Sequence, residues 1–191
     1  MRVTSEVGLL FSAWADLDEA LADVTPQDML RQINAGSSFA WTLAHVTHPV
    51  DSWINVRFQG LPPQPLLHDL HFRVGGDGQA ADWEAIRTAV AEVRSRARPY
   101  LEAITERDLA RVLPYEGGFA AFREHGIQLR VAVLQNAAHH FLHLGEIVTL
   151  RPALGYDGGY FPRSLIFNVP EAFSYDLRDG GRLAGGRAAS G

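Results

Sequence analysis

The 191-residue sequence contains no cysteine and no lysine. Without cysteine there is no disulfide scaffold, thiolate zinc finger, iron–sulfur cluster or cysteine nucleophile, so any metal must be held by His, Asp or Glu. Without lysine there is no Walker-type phosphate loop, no Schiff-base amine and no anchor for pyridoxal phosphate. All 17 basic residues are arginines, and with a formal net charge of −5 they form no dense patch able to track phosphates. Nucleic acid is therefore not an expected partner. Long apolar runs are missing too. The stretch Val131 to Leu150 holds Gln135, Asn136, three histidines and Glu146, which argues against a membrane span. Met1 to Asp23 carries acidic residues through its apolar part and lacks a basic start, so no signal peptide is read there and a cytoplasmic location is expected.

What the chain does have is helical periodicity. A hydrophobic content of 47% is enough to bury one core. Val7, Leu10, Phe11, Trp14, Leu17, Leu21 and Val24 recur in steps of three and four and predict a first helix over 4–23. Thr25-Pro26-Gln27-Asp28 predicts a capped short helix running to Ile33. Ser37 or Ser38 caps a second long helix over 39–58, with a bend expected at Pro49, which withholds a donor from the carbonyl of His45. Residues 60–79 read as a long loop, either functional or packed by Leu66, Leu67, Leu70 and Phe72. Trp83, Ile86, Val90, Val93, Ala97, Leu101 and Ile104 predict a third long helix over 81–104, kinked near Pro99. A capped turn at Thr105 and a connection through Pro114 lead to a fourth helix, expected to begin at 120–126 and to end near Leu150.

Four amphipathic segments with no sustained two-residue alternation point to an all-α four-helix bundle over 1–155 with long inter-helix loops. Aromatic residues scattered among Gly and Pro over 156–180 predict an irregular coil packed on the bundle. Residues 181–191, rich in Gly, Ala and Arg, predict a frayed tail.

One segment carries chemistry. In Ala138-His139-His140-Phe141-Leu142-His143-Leu144-Gly145-Glu146 the spacing puts His139 and His143 on the same side of a helix, one turn apart, where two imidazoles can grip one cation. The opposite, core-facing side is expected to hold Ile127, Val131, Leu134, Ala138, Phe141 and Val148. His140 points about 100° away and is not expected to join the site. A third ligand must come from another helix, with His45 and His48 as candidates. His68, His71 and His125 are expected to be exposed.

Ala40-Trp41-Thr42-Leu43-Ala44-His45-Val46, followed late in the chain by His139-x-x-x-His143-Leu-Gly-Glu146, resembles the DinB-like superfamily of metal-binding four-helix bundles. Thr105-Glu-Arg-Asp-Leu before the last helix and the helix ending Arg151-Pro-Ala-Leu-Gly155 agree with it. The resemblance covers residues 5 to 155 and implies His45, His139 and His143 as ligands of one divalent metal. The chain departs from the family pattern at Leu144, where a basic residue is more frequent, and at Pro49.

Three neutral imidazoles would leave a cation its full charge and an open position, as in catalytic sites. Zn²⁺ and Ni²⁺ both suit such donors. Members of the resembled family include transferases and isomerases that use a low-molecular-weight thiol, which implies activation of an external thiol, or of water, against a small electrophile. Asp51 and Glu146 are candidate general bases or partners that orient the imidazoles. No His-Glu-x-x-His is present, since position 140 is His, so a zincin mechanism lacks its base. The alternative is a non-catalytic metal-binding or stress-response bundle, and in either case a homodimer is expected from the nearly all-round apolar character of the last helix.

Overall fold

The computed structural model describes residues 3–33, 36–118 and 120–158. The aromatic coil from residue 159 onward and the tail expected over 181–191 lie outside the described residues. Several of the helices start where the sequence provides a side-chain acceptor for a first-turn amide. Helix α1 spans Ser5–Leu21, and the short α2, Pro26–Met29, begins with Thr25 accepting from the Asp28 amide. Helix α3, Phe39–Pro49, begins with Ser38 accepting from the Trp41 amide, and α4, Trp83–Ala103, with Asp82 accepting from the Ala85 amide. The turn at Thr105 is a full capping box with Asp108 and opens α5, Glu106–Leu109.

Pro49 does change the second long helix. From Val50 to Phe58 the chain continues as a π-helix, in which the Gln59 amide reaches the carbonyl of Ile54. The wider repeat begins where proline removes a donor from the ladder.

Two expectations about the last helix need correction. The helical pattern from 120 does not run on: α6, Ala120–His125, stops at Gly126, whose φ of +74° belongs to the left-handed region. A two-residue strand β2, Ile127–Gln128, then pairs antiparallel with β1, Val112–Leu113, and α7 covers Leu129–Leu150. The buried stripe of α7 also differs from the expected one. It runs through Leu129, Val133, Asn136, Ala137, His140, Leu144 and Ile147, while Val131, Leu134 and Leu142 are exposed. Because α7 is apolar nearly all round, its pattern does not mark which side faces the core.

Side-chain contacts fix the helix directions. Arg130 and Glu6 pair at the starts of α7 and α1, while Arg151 and Asp23 pair just past their ends at 2.7 Å, so these two neighbours are parallel. Arg94 pairs with Asp18, and the Arg98 guanidinium lies over the Phe11 ring, so α4 runs antiparallel to α1. Asn55 donates to the carbonyl of Val93 and Gln59 to that of Arg96, which makes α3 and α4 parallel. Parallel neighbours in sequence need a long crossover, and residues 59–82 provide it. The crossover is pinned by its own buried residues Leu67 and Phe72 and by a 3₁₀ turn at Leu70–Phe72.

His140 is fully buried on the core side of α7, where its Nδ1 hydrogen-bonds the carbonyl of Asn136 at 2.7 Å. Burial, reinforced by the charge of Arg94, pushes its pKa down to about 3. The unfolded chain takes up this proton near the ordinary value of about 6.5, so stability is complete above that pH and declines as pH falls toward 3. Metal-free protein should therefore lose about 2 kcal/mol more stability between pH 7 and pH 5 than H140L does, measured by urea unfolding at both pH values. Equal losses would contradict this assignment.

Candidate metal centre

Because α3 and α7 cross antiparallel, one imidazole from the first turns of α3 meets two from the middle of α7. Ligand atoms of His45, His139 and His143 all lie within 4.8 Å of one another. The rings stand edge to face around a common point: centroids of His45 and His139 are 4.9 Å apart, His45 and His143 5.1 Å, His139 and His143 4.8 Å. Three nitrogens gathered this closely fit a divalent cation with tetrahedral or larger coordination.

The surroundings orient these rings. His45 donates from Nδ1 to the carbonyl oxygen of Phe72 at 2.8 Å, which leaves Nε2 as its lone-pair nitrogen. Trp41 stacks on the His45 ring with centroids 4.7 Å apart and planes 10° from parallel. The same Trp41 donates from Nε1 to the carbonyl of His71 at 2.8 Å, so one side chain holds both the ligand ring and the loop that orients it. On α7, His143 Nδ1 meets the Glu146 carboxylate at 2.7 Å, one turn away. A carboxylate in that position raises the basicity of the ligand nitrogen and fixes the ring.

Electrostatics favour neutral, metal-ready imidazoles. Burial lowers the pKa of His45, partly offset by its bond to Phe72. His139 is pushed down to about 4 by burial and then by its neighbours His143 and His45. A proton thus competes poorly for His45 and His139 at neutral pH.

The remaining predicted residues are placed as follows. His48 lies outside the triad and lines the adjoining cavity, with Nε2 3.1 Å from the Ser52 hydroxyl and its pKa pushed down to about 4 by burial first and His68 second. Asp51 is fully buried and belongs neither to the triad nor to the cavity wall. Its carboxylate accepts from the Gln64 amide at 2.7 Å and from Asn55 at 2.8 Å, and it lies 3.1 Å from His68 Nε2. Asp51 therefore ties the crossover to the π-helix. His68 is correspondingly half-buried, its ring 4.8 Å from that of His48, and not exposed as expected, whereas His125 is exposed. His140 takes no part in the triad. Sequence reasoning missed the carbonyl of Phe72, because a backbone acceptor has no residue signature. The stacking of Trp41 on His45 was missed as well, although their i,i+4 spacing is a signal from which it could have been read.

Beside the triad, α3, α7 and the crossover enclose a cavity of about 800 Å³ that His45 and His139 both line. An open, largely apolar space next to convergent polar groups is the usual form of a small-molecule site.

The sequence matches the family model of the DinB superfamily over residues 10–147. Among solved structures, it is similar to a conserved protein from Enterococcus faecalis, with a TM-score of 0.60 at 19% identity, covering 81% of this chain and 99% of that one. At that identity the likeness concerns the fold. No curated protein matches the chain.

Replacing one ligand and replacing a partner of a ligand should differ in degree. H45A, H139A and H143A should each abolish tight Zn²⁺ binding, and E146Q should weaken it about 10–100-fold while the fold is retained. Competition titration against a chromophoric chelator, with circular dichroism as the fold control, reads both. Wild-type affinity in E146Q would contradict the orienting role.

Proposed function

This chain belongs to the DinB superfamily, and we propose that it is a divalent-metal-dependent enzyme that activates a low-molecular-weight thiol, or water, for attack on a small electrophile. The observation that carries this reading is the convergence of three imidazoles, two of which, His45 and His139, line a cavity large enough for a substrate. A structural metal is usually closed off by four protein ligands, whereas three imidazole donors beside an open cavity leave a position for an exchangeable ligand.

His45, His139 and His143 would hold the cation, Zn²⁺ or Ni²⁺. When bound, that ion supplies Lewis acidity that favours the deprotonated form of a thiol or water. The protein's own part is orientation and exclusion of water. Phe72 and Trp41 fix the ring of His45, and Glu146 fixes that of His143. Of the two candidate bases, Glu146 is thus engaged with a ligand ring, and Asp51 is engaged with the crossover. Both act in this reading as positioning residues. The chain has no cysteine, so the sulfur of a transfer reaction arrives with the cosubstrate. It forms the new carbon–sulfur bond while its proton leaves and the displaced or conjugated group of the electrophile takes the electron pair.

No helix among the described residues is long and apolar enough to cross a membrane. The second reading, a non-catalytic metal-binding dimer, is favoured by Val131, Leu134 and Leu142, which lie along one side of α7 at 36%, 38% and 70% exposure. The two readings separate in a thiol-conjugation assay with 1-chloro-2,4-dinitrobenzene and glutathione, bacillithiol or mycothiol in turn. Metal-loaded protein should turn over with at least one thiol, and chelator or H143A should lower the rate by at least about 100-fold. A rate indifferent to both, with a dimer by sedimentation velocity, would favour the binding role instead.

A further inference from the structure

The wall of the cavity is chemically one-sided. Trp53 of the π-helix and Val131, Leu134 and Leu142 of α7 supply apolar surface, while Arg73 of the crossover is the one formally charged side chain among the described residues that line it. Among the described residues no carboxylate lines the cavity: Asp51 is turned into the crossover and Glu146 is held by His143. The lining imidazoles of His48 and His139 are kept neutral by burial.

Arg73 is placed to receive a ligand. Arg73 is exposed at the cavity, and its Nη2 donates to the carbonyl of His68 at 3.3 Å. Among the described residues it joins no ion pair, unlike Arg94, Arg130 and Arg151, each of which meets a carboxylate. The remaining donors of its planar fork match a carboxylate. The exposed apolar side chains on the same cavity, Leu142 above all, are the surface that a hydrocarbon body would cover.

Resting on the metal-dependent reading above, we propose that the electrophilic substrate is an apolar-bodied carboxylate, its hydrocarbon part lying on Trp53, Val131 and Leu134 and its carboxylate paired with Arg73. Two sources of carboxylate compete for this site: the substrate, and a thiol cosubstrate such as glutathione. The apolar walls favour the former.

Isothermal calorimetry on the full chain, metal-free and zinc-loaded, tests this with 4-phenylbutyrate, 4-phenylbutyramide and S-methylglutathione as probes. Metal-free wild type should bind the acid about tenfold more tightly than the amide. R73Q should lose that preference while binding the amide as wild type does. The zinc content of both proteins, measured on the same samples, keeps the two readings apart: absence of bound zinc would count against the metal site, and the acid preference of metal-free protein would still be readable. The proposal is overturned if wild type binds neither apolar probe, or binds acid and amide equally. It is overturned too if the preference survives R73Q or appears only with zinc, since the metal would then be taking the carboxylate. Dependence on Arg73 by S-methylglutathione alone would assign the arginine to the cosubstrate and equally overturn it.

Discussion

The hydrogen bond from His45 Nδ1 to the carbonyl of Phe72 joins the two parts of the molecule on which the site depends. One part is rigid: the antiparallel crossing of α3 and α7, which brings rings from distant positions to within about 5 Å of each other. The other is the crossover, which would be an ordinary long loop but for its fixed points. Leu67 and Phe72 are buried, the Gln64 amide is bound by Asp51, and the Gly78 carbonyl accepts from the Ser38 amide. The segment that links two parallel helices therefore also selects the nitrogen that His45 presents. Parallel α3 and α4 require a long connection, and here the connection orients a ligand.

Burial contributes in two opposite ways. Around the triad it keeps His45 and His139 neutral, so their lone pairs remain available to a cation. One position further along the same helix, burial holds His140 against the core with a carbonyl partner, where the ring contributes packing and acid sensitivity. Adjacent histidines thus have different fates because successive helix positions differ by about 100°. The exposed apolar side of α7 has a related origin. The helix packs α1 with one stripe and lines the cavity with another, so apolar side chains occur on both.

Much of this was legible in the sequence. The steps of three and four in α1 and α4 and the caps at Ser38 and Thr105 identify the bundle, and the spacing of His139 and His143 marks them as a candidate ligand pair. His45 could not be chosen over His48 from spacing alone, since both lie on α3 one turn apart; the resemblance to the family motif singled it out. The start of α7 was misread because Ala120 to His125 is helical in its own right, and the positive φ of Gly126 with the two-residue strand β2 separates the two. Its buried stripe was misread because a helix apolar on every side carries no usable moment. The burial of Asp51, the half-burial of His68 and the role of Arg73 all depend on where the crossover lies. A loop without periodicity does not encode its path in any local pattern.

The account stands on three imidazoles bound to one ion, and X-ray absorption spectroscopy of the zinc-loaded protein tests that most directly. Three histidine nitrogens at about 2.0–2.1 Å, with one exchangeable oxygen ligand, is the predicted first coordination shell. A shell of oxygen donors without the outer-shell scattering of imidazole rings, or protein that takes up no zinc, would contradict it.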